Sequence, residues 1–482
     1  MRVAPLTAAA LLCALALSAP AHGASSLVIR GAGFGHGVGL SQYGTLGYAK
    51  QGWTHDRILA HYYTGTKLGR LTSSPAVRVL LRSGHSRYVV VGAVDANGLK
   101  LDPAKRYVIT GGGKGAIVRD AKGKSLGTAT PPLRLSAASG STIQLFGPAD
   151  NGVRDGVYRG ALEFRPGVGG LLAVNALGLE EYVAGVIAAE VPASWPAEAL
   201  RAQAIAARTY AITASAGGGE GFDQYADTRS QMYRGVRAEA PATSAAVRAT
   251  SSRVVTYDGR PVTTYFFSTS GGRTENVENV FIGGIARPWL KSVEDPYDGV
   301  SPSHRWGPIK LTLASASSRL RGVVRGRLRW IRVLRRGVSP RIVKAQVVGT
   351  TGTTTVTGPQ LRRAFGLRDS WMFFTSFSTD LTKRDAGDTG PTGPAGPEPR
   401  TDPQTGGART SSASRRLVGS IRPARAGAWA RVERLSGGRW THFADALVER
   451  GGRVATTVPA SGRYRLRYGG MTGPAVGFAP AG

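Results

Sequence analysis

Glu190 is the residue whose type and position first suggest chemistry, because it stands at the joint between two predicted helices. The stretch that contains it is Leu179 to Tyr210, LEEYVAGVIAAEVPASWPAEALRAQAIAARTY. An acid at the carboxyl end of a helix faces the unfavourable end of the helix dipole, which is a reason to look for a chemical role. The alternative is a solvated residue at a helix end, and this stretch alone leaves both interpretations open.

The two helices around Glu190 can be read from spacing and from prolines. Apolar residues recur every three or four positions before Glu190, which predicts a helix with one buried face. Pro192 ends that helix, and Pro196 suits the first turn of the next one. Alanines of the second helix permit close approach of a backbone or a saccharide, and its polar residues are Gln203, Arg208 and Tyr210. This mixture predicts the wall of a cleft.

A glycine-rich segment, LVIRGAGFGHGVGLSQYG, covers residues 27–44 and predicts a strand, a loop and the start of a helix. Glycines permit positive φ and close approach of the backbone to a ligand or helix. The spacing does not match a dinucleotide-binding loop, and no βαβ unit follows, so we reject that interpretation. The loop carries the polar residues His36, Ser41 and Gln42, and a lone histidine such as His36 can be structural or catalytic.

Two later segments are rich in polar groups. DQYADTRSQMY, at 223–233, suits hydrogen bonding and stacking against a sugar, although a surface loop would look similar. YFFSTSGGRTEN, at 265–276, ends a strand in a loop of hydroxyls and exposed amides, which suits carbohydrate or phosphate. Its candidate residues are Ser268, Ser270, Gly271, Gly272 and Glu275. A nucleophilic serine is the weaker interpretation because no GxSxG context surrounds it.

Length and composition predict a secreted globular protein. The chain has 482 residues, of which 41% are hydrophobic, enough for a substantial core and two or three domains. Residues 1–24 contain Arg2, an apolar run from Leu6 to Leu17 and small residues, the pattern of a cleavable signal peptide. The only cysteine, Cys13, lies in that run, so the mature chain has neither a disulfide nor a thiolate ligand.

The formal net charge of +32 predicts attraction to polyanions. No nucleic-acid-binding motif is recognisable, and a secreted chain would not meet nucleic acid in the cell, so we expect no specific nucleic-acid partner. An anionic cell wall is one explanation of the charge. A genomic bias towards arginine codons is the other, and composition does not separate them.

Taken together, these segments resemble the SpoIID/LytB family, which is related to stage II sporulation protein D. The similar stretches are LLAVNALGLEEYVAGVIAAEVPASWPAEALRAQAIAARTY, YFFSTSGGRTENVENVF, LRRAFGLRDSW and GAGFGHGVGLSQYGTLGYAKQGWTHDRILAHYYTGT. In the family the GHGVGLSQYG stretch follows the SGG stretch, whereas here it comes first, as in a circular permutation. Permutation is tolerated where termini lie close together, so we expect His36 and Ser41 beside Glu190.

The predicted fold class is α+β: a SpoIID-like catalytic core with a β-rich inserted subdomain and a small C-terminal all-β, sandwich-like domain. Short β-type runs fill the subdomain, and the linker is rich in Pro, Gly, Ser and charge. The predicted regions are a signal peptide at 1–24, a permuted core segment at 25–70, the β-rich subdomain at 71–170, the catalytic core at 171–381, a disordered linker at 382–415 and the accessory domain at 416–482.

The resemblance implies a secreted peptidoglycan lytic transglycosylase that cleaves glycan strands between MurNAc and GlcNAc and leaves 1,6-anhydroMurNAc ends. The glutamate of the family's E-M-P stretch matches Glu190 in EVP. A hydrolase normally needs two carboxylates, whereas in a lytic enzyme the muramyl 6-hydroxyl can attack the anomeric carbon, so one acid can serve as acid and then base. Glu190 would need a raised pKa, available from burial against Trp195 and apolar helix residues.

The resemblance also implies the other residues of the cleft and the partners of the protein. The implied substrate-binding residues are His36, Ser41, Gln42, Arg208, Tyr210, Ser268, Ser270, Gly271, Gly272 and Glu275. Some family members bind zinc, but the mature chain has no cysteine and no paired histidines at ligand spacing, so we expect no metal and no cofactor.

The expected partners are peptidoglycan glycan strands, the anionic cell wall and a cell-wall amidase, the last implied by the LytB branch of the family name. That branch also supplies an alternative function, a non-catalytic wall-binding protein that enhances an amidase. Both functions place the protein outside the cell or in the cell wall.

Overall fold

The computed structural model describes residues 24–112, 115–217, 219–281, 284–383, 414–459 and 461–477. Helices and several sheets are mixed in this part of the chain, as the predicted α+β class requires. The predicted signal peptide, apart from its last residue, and most of the predicted linker lie outside the described residues. Within the described ranges, no helix has the length and apolar character needed to cross a membrane.

The N-terminal segment begins with a strand and continues through a glycine loop into two short helices. Its elements are β1 Ala24–Ala32, β2 Leu40–Ser41, α1 Gln42–Lys50, α2 His55–Tyr62 and β3 Lys67–Arg70. Glycines 33, 35, 37 and 39 of the loop all have positive φ. A Cβ atom at Gly37 would lie 2.3 Å from Nε of Arg341, so the loop needs glycine for close packing as well as for its backbone conformation.

Twelve strands follow, all antiparallel to their neighbours within this region, and form two sheets. They are β4 Ala76–His85, β5 Arg87–Val91, β6 Ala93–Ala96, β7 Leu99–Lys100, β8 Tyr107–Gly112, β9 Gly115–Arg119, β10 Ser125–Ala129, β11 Leu133–Ala137, β12 Ile143–Pro148, β13 Arg154–Tyr158, β14 Ala161–Gly167 and β15 Gly170–Gly178. One sheet has the order β10-β9-β8-β5-β12-β13, and the other contains β4-β15-β14-β11-β6-β7. Residue Val79 of β4 pairs with Asn175 of β15. The apolar faces of both sheets share one core with the helices that follow.

The next region contains the helical corner that the sequence predicts. Its elements are α3 Leu179–Glu190, α4 Ala197–Thr213, β16 Gln224–Tyr225, α5 Pro241–Ala249, β17 Arg253–Tyr257, β18 Arg260–Pro261, β19 Phe266–Phe267 and α6 Val277–Val280, with 3-10 turns at Val236–Ala238 and Asp298–Val300. Helix α4 is central because its two sides pack into two different hydrophobic cores. Leu200, Ala204 and Ala207 face the core of α3 and the sheets, whereas Ile205 and Ala206 face the N-terminal segment.

Short strand pairs join the N-terminal segment to this region. Strand β19 runs parallel to β2, with Phe266 opposite Leu40 and Phe267 opposite Ser41. Strand β17 lies between β18 and β3. These pairings place the beginning of α1 against the region of α3 and α4.

The following elements build a second layer around β1. They are β20 Arg305–Thr312, α7 Leu313–Arg319, β21 Leu328–Arg336, β22 Ile342–Gly349, β23 Thr353–Thr357, α8 Gly358–Phe365 and β24 Met372–Lys383. Strand β1 lies between β20 and β24, and β21, β22 and β23 form a separate sheet. Helix α8 has a capping box of Thr357 and Gln360 and ends at Gly366 in the left-handed conformation.

The C-terminal strands form a sandwich that shares a sheet with the layer around β1. They are β25 Ser414–Arg422, β26 Trp429–Ser436, β27 Arg439–Leu447, β28 Arg453–Pro459, β29 Arg463–Tyr468 and β30 Met471–Gly477, with a 3-10 turn at Arg450–Gly452. One sheet has the order β20-β1-β24-β25-β28, and the other has the order β27-β26-β29-β30. Leu27 and Ile29 of β1 face one core, while Val28 faces the core of the sandwich. Strands β1 and β24 are therefore a common wall between two cores.

Candidate active site

Glu190 is the last residue of α3, and its carboxyl group is held by two hydrogen bonds. Nε2 of Gln42 donates to Oε2 of Glu190 at 3.1 Å, and the backbone N–H of Met232 donates to Oε1 at 2.8 Å. Both donors are neutral, and each reaches a different oxygen. The carboxyl group is therefore fixed in orientation while the residue remains partly exposed to solvent.

Burial raises the pKa of Glu190 above its ordinary value, because desolvation disfavours the charged carboxylate. The hydrogen bonds from Met232 and Gln42 act in the opposite direction and stabilise the carboxylate, but they do not outweigh burial. Neither partner is a cation or a second acid. A carboxyl group in these surroundings stays protonated to a higher pH than an exposed glutamate and can still be held as an anion after it loses its proton.

The N-terminal segment reaches the corner through the first residues of α1. Gln42 is buried, and the ring of its neighbour Tyr43 meets the ring of Trp195 edge to face, with centroids 5.3 Å apart. Trp195 stands in the turn between α3 and α4, five residues after Glu190. This arrangement agrees with the expectation that the glycine-rich segment folds back to the Glu190 corner.

His36 does not contact Glu190, and both of its ring nitrogens are occupied. Nδ1 accepts from the backbone N–H of Val38 at 3.1 Å, so Nε2 carries the proton and donates to the carbonyl of Phe266 at 3.0 Å. The ring packs among Tyr265, Phe267 and Phe281. Burial lowers the pKa of His36 to about 4. The imidazole is therefore neutral at physiological pH and anchors the glycine loop to β19.

Ser41 and the SGG loop meet at a buried carboxylate, Asp298, that sequence reasoning missed. The backbone amides of Ser270 and Gly271 donate to Asp298 at 3.1 and 2.7 Å, and the Ser41 hydroxyl lies 3.4 Å from the same carboxylate. Ser41 also accepts from the N–H of Gly44 and so caps α1. The Ser270 hydroxyl accepts from the N–H of Gly272. Asp298 thus organises the SGG loop and the start of the helix that carries Gln42.

A second buried acid, Asp295, lies under the first turn of α1. A Cβ atom at Gly44 would lie 2.2 Å from one carboxyl oxygen of Asp295 and 2.0 Å from the Tyr62 hydroxyl. The hydroxyls of Tyr62, Ser41 and Ser270 are close to this carboxyl group, yet neither of its oxygens has a hydrogen bond of good geometry. Burial and the nearby Asp298 raise the pKa of Asp295 to about 7. The D-P-Y-D spacing of 295–298 is the signal by which the pair could have been found.

Two of the predicted cleft residues are buried and bonded to internal partners, neither of which is Glu190. Arg208 is fully buried and holds the Glu180 carboxylate with Nε and Nη2 at 2.9 and 2.6 Å. Glu275 is also fully buried and accepts from the N–H and the hydroxyl of Ser339 at 3.1 and 2.5 Å. The structure gives both side chains internal partners, which position α3, α4 and the segment after the SGG loop.

Tyr210 and Ser268 lie closer to the cleft. The ring of Tyr210, on the last turns of α4, meets those of Tyr265 and Phe266 edge to face, and burial raises its pKa to about 12. The carbonyl of Ser268 accepts from the N–H of Tyr43 at 3.0 Å, so the loop after β19 touches the start of α1. Both residues are partly exposed.

Three residues complete the site as the structure has it. Met232 belongs to the polar segment 223–233 that the sequence suggested for sugar binding, and it contributes a backbone amide rather than its side chain. In the same segment, the amide of Gln231 bridges the Tyr182 hydroxyl and the carbonyl of Ala207. Gln203 is buried with both amide atoms unpaired among the described residues. The described residues contain no group of three His, Cys, Asp or Glu side chains that could hold a metal ion.

The fold and site define a mixed α+β protein in which the carboxyl group of Glu190, partly exposed and held by two hydrogen bonds, stands at a helical corner. Residues 168–257, which include Glu190 and Met232, match the model of the SpoIID family, described as stage II sporulation protein. The resemblance to this family seen in the sequence is therefore confirmed for this part of the chain. Gln42 and the SGG loop lie outside the matched residues.

Similar proteins are found among curated sequences. An uncharacterised protein of Brachyspira hyodysenteriae is 39% identical over 138 residues, which cover 28% of this chain and 37% of the relative. Stage II sporulation protein D of Bacillus subtilis is 37% identical over 149 residues, covering 28% and 43%. The amidase enhancer of Bacillus subtilis is 38% identical over 118 residues, covering 24% and 16%. The chain thus matches less than half the length of each of these relatives.

Proposed function

We propose that the protein is a secreted peptidoglycan lytic transglycosylase in which Glu190 is the general acid and then the general base. The observation that carries the proposal is the Glu190 carboxyl group itself, partly buried, with a raised pKa and held by two neutral donors. A lytic mechanism needs only this one carboxyl group, whereas hydrolysis by a carboxylate pair needs a second one. The net charge of +32 suits a protein that works in an anionic wall.

The reaction would proceed in two proton transfers at the same side chain. Protonated Glu190 gives its proton to the glycosidic oxygen, and the bond from that oxygen to the anomeric carbon of the muramyl unit breaks. The muramyl 6-hydroxyl attacks the anomeric carbon, and the Glu190 carboxylate takes the hydroxyl proton. The products are an anhydro end and a free hydroxyl end, no water is consumed, and Glu190 is again protonated.

The donors around Glu190 fit both states of the carboxyl group. After the first transfer, Gln42 and the Met232 amide hydrogen-bond the carboxylate and hold it towards the place where the second proton is released. Positioning of this kind contributes to rate because the reacting groups are already oriented. Most of the cleft wall is formed by α3 and α4. The two hydrophobic cores into which these helices pack keep the corner rigid.

The substitution Glu190→Gln tests the proposal with little change in shape. Incubation of the mature protein with purified peptidoglycan, intact or stripped of stem peptides by an amidase, should release anhydro-ended products that mass spectrometry detects. The variant should release none, while its binding to wall sediment and its unfolding midpoint stay near those of the parent. If the parent protein releases no anhydro ends from either preparation, lytic cleavage is not its function.

A second candidate function is enhancement of a cell-wall amidase without catalysis, which the similarity to an amidase enhancer favours. In that case Glu190 would be a structural residue of the wall-binding surface. Addition of the protein to an amidase and peptidoglycan separates the two functions. Equal stimulation by the parent protein and by Glu190→Gln, with no anhydro products from either, would favour the enhancer.

A further inference from the structure

A groove of about 590 Å3 lies on the surface beside the C-terminal turns of α4. It is formed by the end of α4, by the chain between β18 and β19 and by the segment that follows the start of α6. The lining residues that matter for its chemistry are Thr213, Thr263, Tyr265, Phe281, Arg287 and Trp289. None of them has a role in the hydrogen bonds of Glu190.

The walls of the groove are aromatic and stay open to solvent. The Trp289 indole is held in place because Nε1 donates to the carbonyl of Thr263 at 3.1 Å and its ring lies 5.4 Å from that of Tyr257. The ring of Phe281 lies 5.0 Å from that of Tyr265 and is 38% exposed, and Ile285 on the rim is 72% exposed. Contiguous exposed apolar surface of this kind marks a binding site more often than a solvated face.

The charges of the groove restrict what it can bind. Among the described lining residues Arg287 is the only one with a charged side chain, and it lies over the Trp289 ring at 5.7 Å. The neutral polar groups are the hydroxyls of Thr213 and Thr263 and the phenol of Tyr265. A groove that carries the Arg287 guanidinium and no carboxylate among its described residues disfavours a cationic ligand, because the like charges repel each other.

The groove is joined to the Glu190 corner by packing contacts within the fold. Tyr265 of the groove meets Tyr210 at 5.9 Å, and Tyr210 meets Phe266 at 6.3 Å. Phe266 pairs with Leu40, two residues before the Gln42 that holds Glu190. These contacts pass through the buried Leu40 and fix the position of the groove relative to the corner.

We propose that this groove binds N-acetylated amino-sugar units of a glycan strand, at positions removed from the bond beside Glu190. The apolar faces of the sugar rings pack on Trp289, Phe281 and Tyr265. The hydroxyls of Thr213 and Thr263 donate to backbone carbonyls, so they accept from the acetamido N–H and hydroxyl groups of the sugars. Such a division between apolar walls and few polar groups is usual for small-molecule sites, and the volume suits a short saccharide. The inference that the bound glycan is a peptidoglycan strand rests on the proposed function. Binding of N-acetylated amino sugars in the groove does not depend on it.

Isothermal titration of the mature Glu190→Gln protein with a hexamer of N-acetylglucosamine tests the inference without turnover. Trp289→Ala and Phe281→Ala should each weaken binding by about tenfold, the size of one lost aromatic contact. Trp289→Phe should recover part of the affinity. Trp429→Ala is the matched control, because Trp429 is 61% exposed on the C-terminal sandwich and should leave binding unchanged. Unfolding midpoints of all variants should stay within a few degrees of each other.

The fully deacetylated hexamer of glucosamine is the matched ligand. It should bind at least tenfold more weakly than the acetylated hexamer, because its ammonium groups meet Arg287 and no carboxylate. The inference is overturned if the folded Trp289→Ala and Phe281→Ala variants bind the acetylated hexamer as the parent does, or if both hexamers bind equally. Loss of binding in these variants supports the groove even when no preparation is cleaved, so this result is independent of the lytic function.

Discussion

At the scale of single residues, Glu190 depends on Gln42 more than on any apolar neighbour for its orientation. The Gln42 amide is the only side chain that hydrogen-bonds the Glu190 carboxyl group among the described residues. Because that bond stabilises the carboxylate, it lowers the pKa of Glu190 in opposition to burial. Gln42 therefore affects both where the proton is delivered and at what pH it is available.

The substitution Gln42→Ala should raise the pKa of Glu190 further and loosen its carboxyl group. If Glu190 is the general acid, the alkaline limb of the kcat/KM profile moves to higher pH and kcat falls by about tenfold or more, since orientation is lost. Rates of release of anhydro ends across a pH series measure both effects. Gln51→Ala, an exposed change at the other end of α1, is the control. An unchanged alkaline limb would remove Gln42 from the mechanism.

Both ring nitrogens of His36 are already engaged in hydrogen bonds within the fold. Its pKa of about 4 and its two occupied nitrogens leave it neutral throughout the range in which an exposed histidine titrates. The substitution His36→Asn should therefore leave the pH profile of activity unchanged between pH 5 and 8. It should lower the free energy of unfolding by about 1–3 kcal/mol, because the carbonyl of Phe266 loses its donor.

Urea unfolding and activity profiles of His36→Asn check both parts of that prediction. The control is His442→Asn, which changes a half-exposed histidine of the C-terminal sandwich and should alter neither measurement. A shift of the activity profile in His36→Asn, with stability retained, would give the imidazole a role in proton transfer.

Sequence reasoning selected Glu190 and Gln42, which the structure joins by a hydrogen bond, but it could not separate exposed polar residues from buried ones. Arg208 and Tyr210 both stand among alanines on α4, and only the fold shows that Arg208 finds the Glu180 carboxylate across the helix pair. Asp298 was missed because its donors in the SGG loop and on α1 are distant in the sequence, and Asp295 was missed because only the fold places it under the first turn of α1. The D-P-Y-D pattern marks the two acids, whereas their neighbours are set by tertiary contacts.

At the scale of elements, α3 and α4 are joined by one buried ion pair as well as by apolar contacts. Arg208 is fully buried, and Glu180 also accepts from the backbone N–H of Ser252 at 3.0 Å, which adds the start of β17 to the pair. Loss of one partner leaves a buried charge without compensation, and this costs more than the intact pair contributes. The helix pair that carries Glu190 is therefore sensitive to Glu180.

The substitution Glu180→Gln should lower the free energy of unfolding by about 3 kcal/mol, because the Arg208 guanidinium keeps its charge and loses its carboxylate. Guanidinium chloride or urea unfolding measures the change. Glu181→Gln, at the neighbouring exposed position, is the control and should cost less than about 1 kcal/mol. Equal effects at the two positions would mean that the buried pair does not hold the helices together.

Helices and strands were predicted best where the evidence was a local pattern of residue types along the chain. Both helices of the corner were predicted from apolar spacing and prolines, and the structure has them as α3 and α4. The C-terminal strands were also predicted, but their attachment was not. Phe377 of β24 pairs with Ile421 of β25, so the sandwich continues the sheet of β1. Alternation of apolar residues predicts a strand and gives no information about its neighbour.

At the scale of the whole molecule, the positive charge and the buried acids have separate consequences. Lys and Arg number 62 against 30 Asp and Glu, so the surface attracts polyanions whatever the active site does. The acids that are buried act on stability instead. Burial raises the pKa of Glu190 and Asp295, so each of these groups resists ionisation in the folded protein.

The effect of Asp295 on stability has a definite sign and pH range. Its pKa is about 7 in the folded protein and about 3.9 when unfolded. Between these values the unfolded chain has lost a proton that the folded protein keeps, so the free energy of unfolding falls as the pH rises from 4 to 7. Above pH 7 both states are ionised, and this contribution becomes constant. Glu190, whose pKa is also raised, acts in the same direction, which is why a single substitution is needed to isolate the contribution of Asp295.

The substitution Asp295→Asn keeps the shape of the protonated side chain and removes its titration. The free energy of unfolding of the variant should therefore exceed that of the parent at pH 8 by on the order of 2–4 kcal/mol, and should be close to that of the parent at pH 4. Urea unfolding at unit intervals of pH gives the two curves. Asp258→Asn, in an exposed turn that asparagine also tolerates, should run parallel to the parent. Parallel curves for Asp295→Asn as well would mean that the carboxyl group under α1 ionises normally in the folded protein.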